Sequence, residues 1–328
     1  MLRPVLCLQQ LSLDDDDHAQ LQAPSHAVFM ANGNLVVSET SQLRIFRETG
    51  KLLRAVDISF DGPFGIAVGE NALCVADCRK NRLVALELDP QSEITRQKFS
   101  IKLQSPIAVV LHRDRAFVTE QVNHTVAICN LKTGTLERRF GGEGSGGGEL
   151  WCPYGIAAYD STLYVADSWN HRIARFSLRG EWLGAWGEAG GAPGRFRSPY
   201  GVGVAAGVLV VSEAGNKRLQ LLALADGSPL WHGSPHSMHG PCGSLRMLSA
   251  EERTGRVVVA DGSQNRLYLF KIVDWLQRWQ AMALLWVKLC AWRQRAAARA
   301  FAPGGVGYAA VAASTLVGVE SPSKSDQE

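Results

Sequence analysis

One pattern recurs six times along this chain. A short apolar run ends in an acid, a few polar residues follow, and a second apolar run begins. The copies are LVVSETSQLRIF (35–46), LCVADCRKNRLVAL (73–86), AFVTEQVNHTVAI (116–128), LYVADSWNHRIARF (163–176), LVVSEAGNKRLQLL (209–222) and VVVADGSQNRLYLF (257–270). Their acids are Glu39, Asp77, Glu120, Asp167, Glu213 and Asp261, spaced by 38, 43, 47, 46 and 48 residues. Five residues after the acid stands Arg44, Arg82, Arg172, Arg218 or Arg266, with Thr125 in the third copy. A proline precedes each unit: Pro24, Pro63, Pro106, Pro153, Pro199 and Pro241. Short runs rich in Ile, Val, Tyr and Phe, broken by Asp, Asn, Ser and Gly, are strands and turns. One such meander cannot bury both faces of its sheet. Six at this period therefore predict an all-β, six-bladed propeller.

At the level of residues the chain resembles the NHL-repeat family, whose unit runs Pro-x-Gly-Ile-Ala-Val, a turn, Val-Ala-Asp, then Asn-x-Arg-Ile. The fourth copy, from Pro153 through Arg172-Ile173, carries the match nearly residue for residue. The second, fifth and sixth match well, and the first and third are diverged. The resemblance spans about residues 24–270. The Gly-His and Trp-Asp signatures of WD repeats are absent.

The expected organisation is a propeller over residues 1–270, an amphipathic Trp-rich helix over 271–300 and a disordered tail over 301–328. Extra strands follow the second to fifth copies, but the sixth stops at Phe270. Because an open ring leaves exposed edges, RPVLCLQQL near the N-terminus is predicted to complete the sixth blade and latch the ring. In the tail, Trp275, Trp279, Met282, Trp286 and Leu289 make one apolar helix stripe opposite basic residues. That stripe would pack on the propeller rim, lie on a membrane surface or enter a partner's groove.

Composition narrows the setting. Seven cysteines, some inside predicted strands, read as free buried thiols of a reducing compartment. The N-terminus shows no leader pattern, so the expectation is a cytoplasmic monomer, with the tail helix as its route to a peripheral membrane position. The aspartates Asp14 to Asp17 lack the alternating ligands and turn glycine of a calcium loop and read as a solvated loop. His232, His236, His239 and Cys242 lie close together but are interrupted by Gly and Pro, so no helix fixes a metal spacing. No nucleophile elbow, phosphate loop or catalytic Cys-His signature is present, and no cofactor or metal is expected.

Meander geometry places the second-to-third-strand loops and the connections between blades on one face, here called the upper face. It carries Arg79, Lys80, Trp169, Arg195, Arg197 and Lys217. The residues after the prolines, Ser25, Phe64, Ile107, Tyr154, Tyr200 and Cys242, are predicted to ring the channel mouth. The candidate ligand-binding residues are thus Phe64, Arg79, Lys80, Tyr154, Trp169, Arg195, Arg197, Tyr200 and Lys217. The six acids read as structural, each holding its turn or the following Arg.

The favoured function is a non-catalytic scaffold holding a protein or peptide on this face. The resemblance implies the same, since NHL propellers serve as interaction modules. It also leaves two alternatives: a metal-assisted lyase or lactonase, as some six-bladed relatives are, and single-stranded RNA binding, as some NHL proteins show. A basic, aromatic-interleaved groove would serve RNA. However, the tail beyond residue 270 carries the whole net charge of +3, leaving the propeller neutral. No RING or B-box pattern occurs, so ligase activity would need a partner.

Overall fold

The computed structural model describes residues 5–11, 20–234 and 244–273. They form six four-stranded antiparallel sheets. In each sheet the strands are named A to D from the channel outward. The A strands are His26–Phe29, Pro63–Val68, Pro106–His112, Pro153–Tyr159, Pro199–Ala205 and Leu245–Ala250. Each touches the next, and the last touches the first, so the ring is closed. Strand D of blade 6 is Val5–Leu11, which runs antiparallel to Arg266–Val273 with Val5 opposite Val273 and Leu11 opposite Leu267. The predicted latch is present. The expected C-terminal helix and tail lie outside the described residues.

Packing explains the sequence pattern. Strands B and C lie between neighbouring blades, so both their faces are covered. Leu163–Asp167 is buried throughout, and such strands read as continuous apolar runs rather than as alternation. Outer strands such as Ile94–Lys102 are largely exposed and correspondingly polar. The core is divided into six layers, one per junction. Val28, Ile45, Val75 and Val84 join blades 1 and 2, for example, while Phe29, Val37, Val258 and Leu269 join blades 6 and 1.

Register corrects three expectations. Blade 1 has its own D strand, Leu52–Ala55, which at four residues is too short to stand out in the sequence. Its B–C hairpin is two residues shorter than the others: Ser38 pairs with Leu43 and Val37 with Arg44, whereas Asp167 pairs with Arg172. Arg44 is therefore not the register equivalent of Arg172. In blade 6, Leu245 faces Asp261 as Pro153 faces Asp167. The channel-mouth residue there is Arg246, not Cys242, because the A strand starts beyond Pro241; Cys242 lies outside the described residues.

A finer regularity emerges in strand B. The residue before the acid alternates around the ring as Ser38, Ala76, Thr119, Ala166, Ser212 and Ala260, and the acid alternates between Glu and Asp with it. Each hydroxyl of the odd blades donates to the A strand of the following blade: Ser38 Oγ to Phe64 O at 2.5 Å, Thr119 Oγ1 to Tyr154 O at 2.7 Å and Ser212 Oγ to Arg246 O at 2.7 Å. The even blades place a buried methyl at this position.

Candidate binding face

The repeat acids are fully engaged within the protein. Asp167 accepts the Trp151 N–H at 2.7 Å, Asn170 Nδ2 at 2.9 Å and Arg172 Nε at 2.7 Å. Burial pushes its carboxyl above the usual range, and these donors oppose that shift. Glu39, Asp77, Glu120 and Glu213 likewise each take a backbone N–H from the connection entering their blade, at Gln22, Asp61, Gln104 and Arg197. The guanidinium partner comes from different places. Arg82, Arg172 and Arg218 stand directly opposite their acids, and Arg44 reaches Glu39 from two residues further along its strand. In blade 3, where Thr125 replaces Arg, Arg139 of strand D grips both Glu120 oxygens at 2.6 and 2.9 Å. Asp261 accepts the turn N–H groups of Ser263 and Gln264 at 3.1 Å.

The same arginines tie down the glycine-rich connections. Arg172 also donates to the carbonyls of Ser145, Gly146 and Glu149, and Arg218 to those of Gly191, Ala192 and Arg195. Asn170 and Asn216 add bonds to Gly144 O and Gly190 O. These guanidiniums are spent on their own loops.

Between blades runs a clasp that the sequence reading missed. The fourth residue after the acid adopts left-handed φ in five blades: Asn81 51°, His124 55°, His171 54°, Lys217 50° and Asn265 51°. Four of these side chains accept the N–H of the residue ahead of the next A strand. Asn81 holds Ser105 at 2.7 Å, His124 holds Cys152 at 2.9 Å, His171 holds Ser198 at 3.1 Å and Asn265 holds Ala23 at 2.7 Å. Asn and His tolerate this backbone region and offer an acceptor. Lys217 has no acceptor to offer, so blade 5 lacks this bond to blade 6. His124 and His171 are therefore equivalent blade-to-blade fasteners.

The channel mouth is filled by side chains. Tyr154 and Tyr200 stack with centroids 4.2 Å apart, and Phe64 approaches Tyr200 at 6.4 Å. Met247 packs in the same cluster. Gln121 Nε2 donates to the Tyr154 hydroxyl at 2.8 Å. Burial pushes both tyrosine pKa values up. Arg246 turns outward to Ala23 O at 3.3 Å and Ser25 Oγ at 3.1 Å. Below this plug a cavity of about 320 Å³ follows the lower parts of the A strands, lined by Val109, Ile156 and Val202 together with His26, Tyr159 and Glu252. Among the described residues no three or more His, Cys, Asp or Glu side chains converge as a metal site. Burial pushes the Cys74 and Cys129 thiols up to about 12, which keeps them protonated and unreactive.

The remaining sequence candidates are spread around the rim. Arg79 pairs with Asp61 at 3.4 Å, Lys80 holds Ser59 O at 2.9 Å, and Arg195 pairs with Glu188 at 2.8 Å. Arg197 and Lys217 are exposed. Trp169 is 56% exposed and meets Trp151, 39% exposed, at 5.6 Å. Val122, at 66%, lies in the equivalent turn of blade 3. The face thus splits. Phe64, Tyr154 and Tyr200 gather at the axis, Trp169, Arg197 and Lys217 lie over blades 4 and 5, and Arg79 and Lys80 sit apart on blade 2.

No protein-family model matches the chain, and no curated protein sequence does. Its shape is shared with solved structures. A streptogramin B lyase superposes with a TM-score of 0.58 at 13% identity, covering 83% of this chain and 98% of that one. A virginiamycin B lyase from Staphylococcus aureus gives 0.55 at 11%, covering 82% and 100%. The Kuenenia stuttgartiensis hydrazine synthase gives 0.54 at 11%, covering 78% and 98%. At such identities the likeness establishes the propeller alone.

Proposed function

We propose that this chain is a non-catalytic binding scaffold of NHL type whose propeller presents its upper face to a protein or peptide. The observation that carries this reading is how the polar groups of that face are used. The repeat acids and the following arginines hold the blades and connections together, and the channel mouth is packed with Phe64, Tyr154, Tyr200 and Met247. Reaction centres gather titratable groups in an accessible pocket. On the upper face the accessible feature is an aromatic surface, the kind of area that anchors protein interfaces.

Affinity capture with the full chain, alongside a Trp151→Ala/Trp169→Ala variant of unchanged melting temperature, tests the reading. A partner bound by the native chain and lost by the variant supports it, and identical capture sinks it. The lyase neighbours give the competing reading its test. Turnover of virginiamycin B by the full chain with added divalent metal would replace the scaffold with an enzyme.

A further inference from the structure

The Trp151–Trp169 pair has an equivalent in other blades. One member is the residue whose N–H the repeat acid captures, and the other stands two residues after that acid. In blade 2 these are Asp61 and Arg79, an ion pair. In blade 5 they are Arg197 and Gly215, where the Gly215 N–H donates to Arg197 O at 3.1 Å. One surface position is thus charged and self-satisfied on blade 2, aromatic on blade 4 and cationic on blade 5.

The clasps make the last two contiguous. His124, two residues from Val122, holds Cys152, which adjoins Trp151. His171, two residues from Trp169, holds Ser198, which adjoins Arg197. Val122, Trp151, Trp169, Arg197 and Lys217 therefore form one arc over blades 3 to 5. The two indoles pack together and leave large apolar area in water. Arg197 and Lys217 have no ion pair among the described residues, whereas Arg79 and Arg195 are already neutralised.

We propose that this arc docks an acidic peptide segment carrying one aromatic or aliphatic anchor. The anchor packs on the Trp pair and the acids meet Arg197 and Lys217. This rests on the scaffold reading above and names the partner's chemistry. Charge complementarity favours a peptide over a nucleic-acid strand. Two free cations suit one or two carboxylates, whereas a phosphate backbone needs a longer cationic track.

The test is selection of random phage-displayed peptides on the full chain, followed by fluorescence anisotropy of the synthetic winners. Winners should be net negative with a single apolar anchor. Trp169→Ala should weaken them by about tenfold or more. Arg197→Gln/Lys217→Gln should weaken them about tenfold and remove their salt dependence. Arg138→Glu, on the outer strand of blade 3, should leave binding unchanged. Winners without acids that still need Trp169 overturn this inference and leave the scaffold standing. No peptide dependent on the upper face overturns both. Oligouridylate bound through the same residues, with no peptide selected, overturns the peptide in favour of a nucleic acid.

Discussion

Blades 2, 4 and 5 and blades 1 and 6 treat one register position in opposite ways. The third residue of the Pro-x-Gly segment is Gly65, Gly155 or Gly201 in the first group. A side-chain carbon on Gly155 would stand 2.6 Å from Tyr200 O, and one on Gly201 2.6 Å from Leu248 N. Glycine is there because the next A strand passes against its backbone, not for any unusual φ. In blades 1 and 6 the same position holds His26 and Met247, which put side chains where the glycines admit backbone. His26 Nδ1 accepts the Ile66 N–H at 3.1 Å, and Met247 joins the aromatic plug. Repeats that close a ring need not be equal. The blades flanking the closure supply bulk, blades 2, 4 and 5 supply close approach, and blade 3 stands between with Ala108.

The sharpest way to break this comparison is at the closure itself. Removing residues 1–19 exposes the edge of Arg266–Val273, and we expect loss of the single cooperative thermal transition, followed by calorimetry. Met247→Ala should cost about 3 kcal/mol in urea unfolding, through the cavity it leaves under Phe64 and Tyr200. His26 gives a pH signature of similar size. Burial lowers its pKa from 6.5 to about 4, so the fold keeps it neutral while the unfolded chain takes up a proton. Stability is full above about pH 6.5 and falls by about 3 kcal/mol as pH drops to about 4. His26→Gln should flatten that part of the curve, and an unchanged slope would reject the assignment. On the glycine side, Gly155→Ala should cost about 2 kcal/mol, because two backbones must move apart. Smallest is Thr119→Val, at about 1.5 kcal/mol. It strips the acceptor from the Ala108 N–H, held at 3.0 Å, and the donor from Tyr154 O.

The blade count and the latch were legible because the acid and proline recur and because a ring abhors an open edge. Blade 1 misled through coincidence: Arg44 sits five residues after Glu39, yet a shorter hairpin puts it at a different rung. Pro241 misled because extra residues separate it from its strand. The clasp left a trace in the sequence, since Asn or His stands four residues after the acid in four copies. Its meaning needed the left-handed turn and a donor from another blade. Trp169, Arg197 and Lys217 were visible as candidates. Trp151 and Val122 were not, because only the fold brings the connection of one blade beside the turn of the next.

The alternation of hydroxyl and methyl ahead of the acid has a consequence for ancestry. Parity of this kind is what triplication of a gene fragment encoding two blades would leave behind. An offspring with one blade more or fewer would set two hydroxyl-bearing or two methyl-bearing neighbours together, so changes of size should come in twos.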